Sequence, residues 1–379
     1  MAEGYQTTAK VYSTENLGKL SVQDMLAYFE EKGAMRVSDL HIKVGAPPAY
    51  RIDGNLVKLK GLTVTSQTAK QLIYPLLSDE NLQKFQSQYS VDCSYRFGSL
   101  QFRINVFKEN DGICAAIRAL SLDIPKVEVI GFPNNVWEDI INRKQGLVLL
   151  TGITGAGKST TIASLIDRIS EKHACRIITI EDPIEYLYQQ KYSIISQREV
   201  GKDVKSFVDG LRVMLREDPD IIFVGEMRDA ETIAMTLMAA ETGHLVFSTL
   251  HTRDTTGTIT RVLDYFHPGR QHEVQNQLSL GLAYIISQKL VPKKGGKGRI
   301  VAMEILNNNN YACANLIRTG KIEQLYSQLQ TKTKNKPDEK MITMEKHLAM
   351  LVKEEKVDLL EAQKWVNNLT SFTDVMKRL

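Results

Sequence analysis

The sequence predicts an α/β protein of two folding units, a small N-terminal α+β domain followed by a larger domain built on a parallel sheet. Three observations carry this. The stretch Gly152-Ile153-Thr154-Gly155-Ala156-Gly157-Lys158-Ser159 fills the phosphate-loop template and lies between a strand-like run and a helical period. From Val136 onward, short apolar runs alternate with helical segments, the pattern of a parallel sheet covered on both faces. At 379 residues the chain is too long for one ordinary core, and usual domain sizes imply about two or three folding units.

Composition narrows the class. Hydrophobic residues at 43% and charged residues at 24% are globular values, and no apolar run approaches the roughly 18 to 20 residues of a membrane span. The start, Met1-Ala2-Glu3-Gly4-Tyr5, lacks the basic-then-apolar pattern of a secretory signal, so a cytoplasmic location is expected. A net charge of +4 from 48 basic and 44 acidic residues is too balanced to argue for nucleic acid, and none is expected as a partner. Cys93, Cys114, Cys175 and Cys313 are scattered without a C-x-x-C pair, which points to reduced thiols rather than zinc or disulfides.

In chain order, residues 1–20 are polar and without period, and are expected to form a loose extension. Residues 21–120 form the first domain. Val22, Met25, Leu26 and Phe29 mark an amphipathic helix, while 39–43, 50–57, 91–97, 100–107 and 112–118 read as strands, with turns at Pro47-Pro48 and Asp53-Gly54. Pro125 and Pro133 make 121–135 a linker. Residues 136–379 form the second domain, with strands at 147–151, 177–180, 221–224 and 245–250. Ile162, Leu165, Ile166 and Ile169 at i, i+3, i+4 and i+7 set a helix directly after the phosphate loop. Beyond Ile286 the pattern predicts helices alone, with 331–338 an exposed loop before two closing helices.

The phosphate loop specifies chemistry as well as shape. Gly152, Gly155 and Gly157, with Thr154 and Ala156 between them, let consecutive N–H groups curl around an anion, and the next helix adds its unpaired N–H groups and partial positive charge. Lys158 would sit between the β- and γ-phosphates, Ser159 would offer its hydroxyl to Mg²⁺, and Thr160 would reach an α- or β-phosphate oxygen.

Three clusters at strand ends extend this chemistry. Glu181 and Asp182, in Ile180-Glu181-Asp182-Pro183, are placed to orient a metal-bound water or polarise the attacking one, with Asp182 a candidate Mg²⁺ partner; an acidic turn before proline is the plain alternative. Gly225-Glu226 ends the run 221–224, and Glu226 is the first choice for the carboxylate facing the γ-phosphate. His244 and His251 flank the run 245–250 and are candidates for sensing the γ-phosphate, although their spacing is not that of a metal site.

Four motifs, the Walker A loop 152–159, the aspartate box 176–186, the Walker B run 215–229 and the histidine box 243–252, together resemble the secretion-type ATPases that power type IV pili, and within them the PilT and PilU retraction group. Ser38-Asp39-Leu40-His41 and Arg51-Ile52-Asp53-Gly54 are similar to that group's N-terminal domain. The resemblance implies a PAS-like N-terminal domain, a RecA-like ATPase domain and a ring of six subunits binding ATP and Mg²⁺. It also implies arginines reaching the nucleotide, at Arg103 and Arg118 here. The implied activity is ATP hydrolysis driving pilus retraction and twitching motility at the inner face of the cytoplasmic membrane, with an inner-membrane pilus platform protein and a paralogous retraction ATPase as partners. One departure is local. The family's retraction signature reads Ala-Ile-Arg-Asn-Leu-Ile-Arg-Glu, whereas Ala312-Cys313-Ala314-Asn315-Leu316-Ile317-Arg318-Thr319 lacks its first arginine and last glutamate. A PilU-like accessory or a divergent pilus or secretion ATPase therefore stands beside the retraction motor, and a non-hydrolysing nucleotide-dependent scaffold is the contrasting class.

Overall fold

The computed structural model describes residues 5–33, 36–52, 55–98, 100–120, 124–296, 298–335 and 340–379. The chain divides into one unit of Met1–Asp123 with Glu185–Leu187 and a second of Ile124–Ile184 with Tyr188–Leu379.

The first unit runs β1 (Tyr12–Ser13), β2 (Lys19–Leu20), α1 (Val22–Lys32), β3 (Val37–Lys43), β4 (Ala49–Ile52), β5 (Asn55–Lys58), α2 (Ser66–Ile73), α3 (Asp79–Gln88), β6 (Ser90–Phe97), β7 (Leu100–Glu109) and β8 (Gly112–Leu120). Six strands pair antiparallel in the order β5-β4-β3-β8-β7-β6. The two-residue period explains why one face is apolar: Leu40, Phe102, Ile104 and Ile117 are buried with Met25, Leu26 and Phe29 of α1 and Leu72 of α2. Helix α1 begins where Ser21 and Asp24 form a reciprocal capping box.

The expected loose extension at 1–20 is corrected by the hairpin of β1 and β2, whose Tyr12 is 1% exposed and belongs to the same core. Two-residue strands are too short to show a period. The run 50–57 divides into β4 and β5, and the Asp53-Gly54 turn lies outside the described residues.

The second unit runs α4 (Val136–Ile141), β9 (Gly146–Thr151), α5 (Lys158–Lys172), β10 (Arg176–Glu181), β11 (Ile194–Glu199), α6 (Phe207–Met214), β12 (Ile221–Val224), α7 (Ala230–Glu241), β13 (Leu245–Leu250), α8 (Thr255–Asp264), α9 (Pro268–Gly281), β14 (Leu282–Pro292) and β15 (Arg299–Asn307). Helices α10 (Tyr311–Arg318), α11 (Leu325–Asn335), α12 (Met344–Lys353), α13 (Leu359–Trp365) and α14 (Leu369–Arg378) follow. Seven strands form the order β11-β10-β12-β13-β9-β14-β15, parallel throughout except the last pair. Apolar side chains are buried on both faces, Leu147, Leu149, Ile180 and Val246 on one and Val148, Leu150, Ile177 and Phe247 on the other. That is why these strands read as unbroken apolar runs rather than alternating ones.

Several expectations change here. The sheet does not end near Ile286: β14 and β15 extend it, and β11 adds the opposite edge. These strands carry polar residues such as Gln197, Arg198, Gln288 and Lys289, which blur the apolar signal. Residues 331–335 continue α11, so the predicted exposed loop is helical there and 336–338 lie outside the described residues. Three helices close the chain, not two. The linker 121–135 is packed from Ile124 onward, with Val127 buried in the core beneath α5 and Glu128 paired with Arg168 at 2.7 Å. Residues 121–123 are not among those described. All four cysteines are free, and among the described residues no helix is long and apolar enough to cross a membrane.

Helix α12 is fastened to β15 by a buried histidine. The N–H of Met303 donates to Nδ1 of His347 at 2.8 Å, and burial pushes the imidazole from 6.5 down to about 4. The unfolded chain therefore takes up this proton first as pH falls. The contribution of His347 is fully present above about 6.5 and is lost as pH drops through about 4. Urea unfolding of His347→Asn, which keeps an acceptor but cannot ionise in this range, is predicted to show a wild-type advantage at pH 7.5 that shrinks on the way to pH 4.5. A difference that stays constant with pH would contradict this.

Candidate nucleotide-binding and hydrolysis site

Strand register alone assembles the site. Val224 of β12 is level with Ile180 of β10 and Ser248 of β13, and Leu250 is level with Thr151 of β9. Just beyond these rungs, Asp182, Glu226 and the start of the 251–254 loop leave the same edge of the sheet as Thr151 and Gly152. The carboxyl ends of parallel strands are where such sheets bind ligands.

The phosphate loop leaves β9 at Gly152, whose φ of 144° suits glycine and whose missing Cβ would stand 2.5 Å from the carbonyl oxygen of Gln288. A substitution there must displace β14 backbone. Gly155 and Gly157 are left-handed, at 78° and 87°. Gly157 is the N-cap of α5 and supplies no side-chain cap, whereas α6, α7, α8 and α12 are capped by Ser206, Asp229, Asp254 and Thr343. The first-turn N–H groups of α5 thus have no capping side chain at the position where an anion would sit. Lys158 is 8% exposed, and its Nζ donates to the carbonyls of Gly152 at 2.9 Å and Ile153 at 3.2 Å, folding the ammonium back over the loop. Thr154 and Gly155 face solvent, Ala156 is buried, and Ser159 and Thr160 are half-buried at the start of α5. These features fit a nucleoside polyphosphate. Behind the loop, Gln288 donates from Nε2 to the Thr161 hydroxyl at 3.0 Å.

Glu226 sits in a turn braced from both sides. Gly225 passes so close to β10 that a Cβ would lie 3.2 Å from the Ile180 carbonyl oxygen, and its own carbonyl accepts the Thr249 hydroxyl at 2.7 Å. Oε2 of Glu226 lies 3.1 Å from Nε2 of His251, and Oε1 pairs with Arg228. Arg228 in turn donates to Asp182 at 3.1 Å. The pKa of His251 is lowered by partial burial, with the positive charges of Lys158 and Arg228 adding to the effect. A neutral imidazole donating from Nε2–H to Glu226 satisfies the contact without an ion pair.

Not every candidate joins this cluster. Glu181 is buried and accepts the Thr179 hydroxyl at 2.7 Å and the Gln197 amide at 3.3 Å, so it braces the edge strands. His244 stands at the opposite end of β13, where its Nδ1 is 2.9 Å from the Ala239 carbonyl at the end of α7. The two histidines are separated by the length of a six-residue strand, roughly 20 Å. His244 fastens a helix end.

In the first unit, cross-strand pairing sets Arg51, Asp39, Arg118 and Arg103 in one row on β4, β3, β8 and β7. Arg118 donates to Asp39 at 2.7 Å, and Arg103 lies 4.0 Å from Asp92. Burial alone would raise the pKa of Asp39, but the Ser38 hydroxyl and Arg118 more than offset this and hold it below the usual value. Arg118 lies beside a fixed carboxylate and remains well exposed.

The sequence reading passed over Arg228 and the hydroxyl chain behind the loop, in which Thr252 lies 2.6 Å from Thr258 and Thr258 donates to Thr151 at 3.4 Å. The i, i+2 spacing of Glu226 and Arg228 in an extended turn was the available signal for the first. Thr252 and Thr258 share no motif, and only the fold unites them.

Proteins of similar sequence and fold are known. The family model described as type II/IV secretion system protein matches residues 21–364. The chain is 41% identical over 313 residues to the type IV pilus retraction ATPase PilT of Pseudomonas aeruginosa, covering 82% of this chain and 89% of that one. It is 39% identical over 308 residues to the twitching motility protein of Neisseria gonorrhoeae, covering 81% of each. A crystal structure of the pilus retraction motor PilT with bound ADP superposes with a TM-score of 0.84 at 43% identity, covering 94% of this chain and all of that one.

If Lys158 and His251 share one site, the imidazole must respond to the ammonium. NMR titration is predicted to place His251 below the ordinary histidine value and to move it upward in Lys158→Met. An unchanged midpoint would separate the two groups.

Proposed function

The chain belongs to the type II/IV secretion system protein family, and we propose that it is a motor ATPase that hydrolyses ATP to drive type IV pilus retraction. The observation that carries the reading is Glu226, held by a braced strand end at the level of the phosphate loop, with His251 at 3.1 Å from its carboxylate. Gly152–Thr160 would hold the triphosphate, and Lys158 would leave its carbonyl contacts for phosphate oxygens. Glu226 would orient and deprotonate the attacking water, and His251 would fix the direction of that carboxylate and register the γ-phosphate.

Among the described residues no group of three or more His, Cys, Asp or Glu forms a metal cluster. Mg²⁺ would therefore be carried mainly by the nucleotide's phosphates and the Ser159 hydroxyl, where it would neutralise charge on the leaving group. Asp182, tied to Arg228, would act on that ion through water. Arg103 and Arg118 would supply positive charge to the departing phosphate from the first unit. In this reading six copies form a ring at the inner face of the cytoplasmic membrane, and a pilus platform protein receives the motion. An interface that binds ATP better than ADP must loosen when the γ-phosphate leaves, which converts hydrolysis into movement.

Phosphate release and nucleotide affinity measured together test this. Glu226→Gln is predicted to lose about a hundredfold or more in kcat while binding ATP within a few-fold of wild type. Negligible release from both proteins would favour the non-hydrolysing scaffold. In the host, loss of the gene is predicted to leave long, unretracted fibres and abolish twitching, and bald cells would reverse the direction assigned to the motor.

A further inference from the structure

Glu304 on β15 is 1% exposed and takes no part in the strand-end cluster. Burying a carboxylate is costly unless its lone pairs are filled, and an apolar residue of similar volume is often the more stable choice. Here the lone pairs are filled in a specific way. Oε1 accepts both the N–H and the hydroxyl of Thr255, at 2.9 and 2.8 Å, and Oε2 reaches the N–H of Met344 at 3.5 Å. Thr255 and Met344 are the first residues of α8 and α12. One carboxylate thus serves the starts of two helices, where partial positive charge favours it.

What Thr255 terminates is the loop 251–254 that carries His251. Each residue of that loop has a named partner. His251 meets Glu226, Thr252 meets Thr258, the Arg253 carbonyl accepts the Ser287 hydroxyl at 3.0 Å, and Asp254 caps α8 through the N–H of Gly257 at 2.6 Å. Upstream the loop is fixed by β13. Downstream it is fixed by the contact with Glu304.

We propose that Glu304 is a positioning residue for hydrolysis: by anchoring Thr255 it fixes the 251–254 loop and so holds the His251 imidazole against Glu226. This rests on the hydrolytic reading of Glu226 given above. Burial pushes Glu304 up to about 7, with the Thr255 bonds pulling it down and the charges of Glu345 on α12 and Asp254 at the cap of α8 raising it further. Lys289 on β14 and Tyr326 on α11 also face it, and His347 on α12 stays neutral above about 4. Ionised Glu304 grips Thr255 through charge-assisted bonds, and protonated Glu304 grips it through neutral ones. Stability runs the other way. Because the native value is raised, the stabilising contribution is present at low pH and is lost as pH rises through about 7.

Glu304→Gln, which imitates the protonated acid, separates positioning from plain structural support. At pH 8 it is predicted to lose roughly fivefold in kcat, the size expected when charge-assisted bonds become neutral, with KM for ATP within about twofold of wild type. Its kcat should stay level between pH 6 and 8, whereas the wild-type value falls toward pH 6. It should melt no lower than wild type at pH 8, and the His251 imidazole resonance of the nucleotide-free protein should move. Unchanged kcat with an unmoved resonance would overturn the proposal, as would a loss of kcat accompanied by a lower melting temperature and a raised KM. If Glu304→Gln does not fold, Thr255→Val, which removes only the hydroxyl bond, decides the same question: kcat must fall while KM holds. Hydrolysis surviving in Glu226→Gln would instead remove the reading of the site itself, whatever Glu304 does.

Discussion

The parallel ladder is the constraint on which the second unit depends. Its rungs, Ile180 to Val224, Val224 to Ser248 and Leu250 to Thr151, bring four strand ends to one level, and the loops that follow have no choice but to meet there. A slip of one residue in any rung would reverse which side chains enter the two cores and would carry Glu226 away from the phosphate loop. The unbroken burial of Leu147, Val148, Leu149 and Leu150 is what makes such a slip prohibitive, since a single Leu→Ala change in a core of this kind costs about 2 to 5 kcal/mol. Packing and chemistry are therefore one problem in this unit. The apolar faces fix the register, and the register fixes the site.

The cluster at the strand ends is built from mutual constraint rather than from depth. Glu226 is kept in place by the close passage of Gly225 over β10 and by the Thr249 hydroxyl, while Arg228 and His251 occupy its two oxygens. The pKa of the His251 imidazole is lowered by burial and by the two nearby cations. Such an arrangement directs a carboxylate without burying it completely. The phosphate loop is complementary. It offers an uncapped helix start and a lysine parked on carbonyl oxygens, both ready to be claimed by an anion.

Legibility in the sequence followed the length and purity of each signal. Residues 152–159 and the four runs that became β9, β10, β12 and β13 were readable because continuous apolar strands and a glycine template are local patterns. Glu226 and His251 were readable by position, one residue or two past a strand end. The strands β11, β14 and β15 were not, since Gln197, Arg198, Gln288 and Lys289 interrupt them and their pairing is decided by neighbours distant in the chain. Tyr12 shows the same limit at the other end, where a polar stretch is secured by one buried ring. His244 was legible as a candidate and resolved only by the direction of β13, which puts it at the far end of the sheet. Glu304 offered no local signal at all, because a single acid in an apolar strand acquires meaning only from Thr255 and Met344 beside it.

The most direct measurement is a structure of the Glu226→Gln protein with ATP and Mg²⁺. The γ-phosphate is expected within hydrogen-bond reach of the Lys158 ammonium, with a water between that phosphate and residue 226 and the His251 ring turned toward them. A triphosphate seated in the loop whose γ-phosphate points into solvent, away from residue 226 and His251, would contradict it.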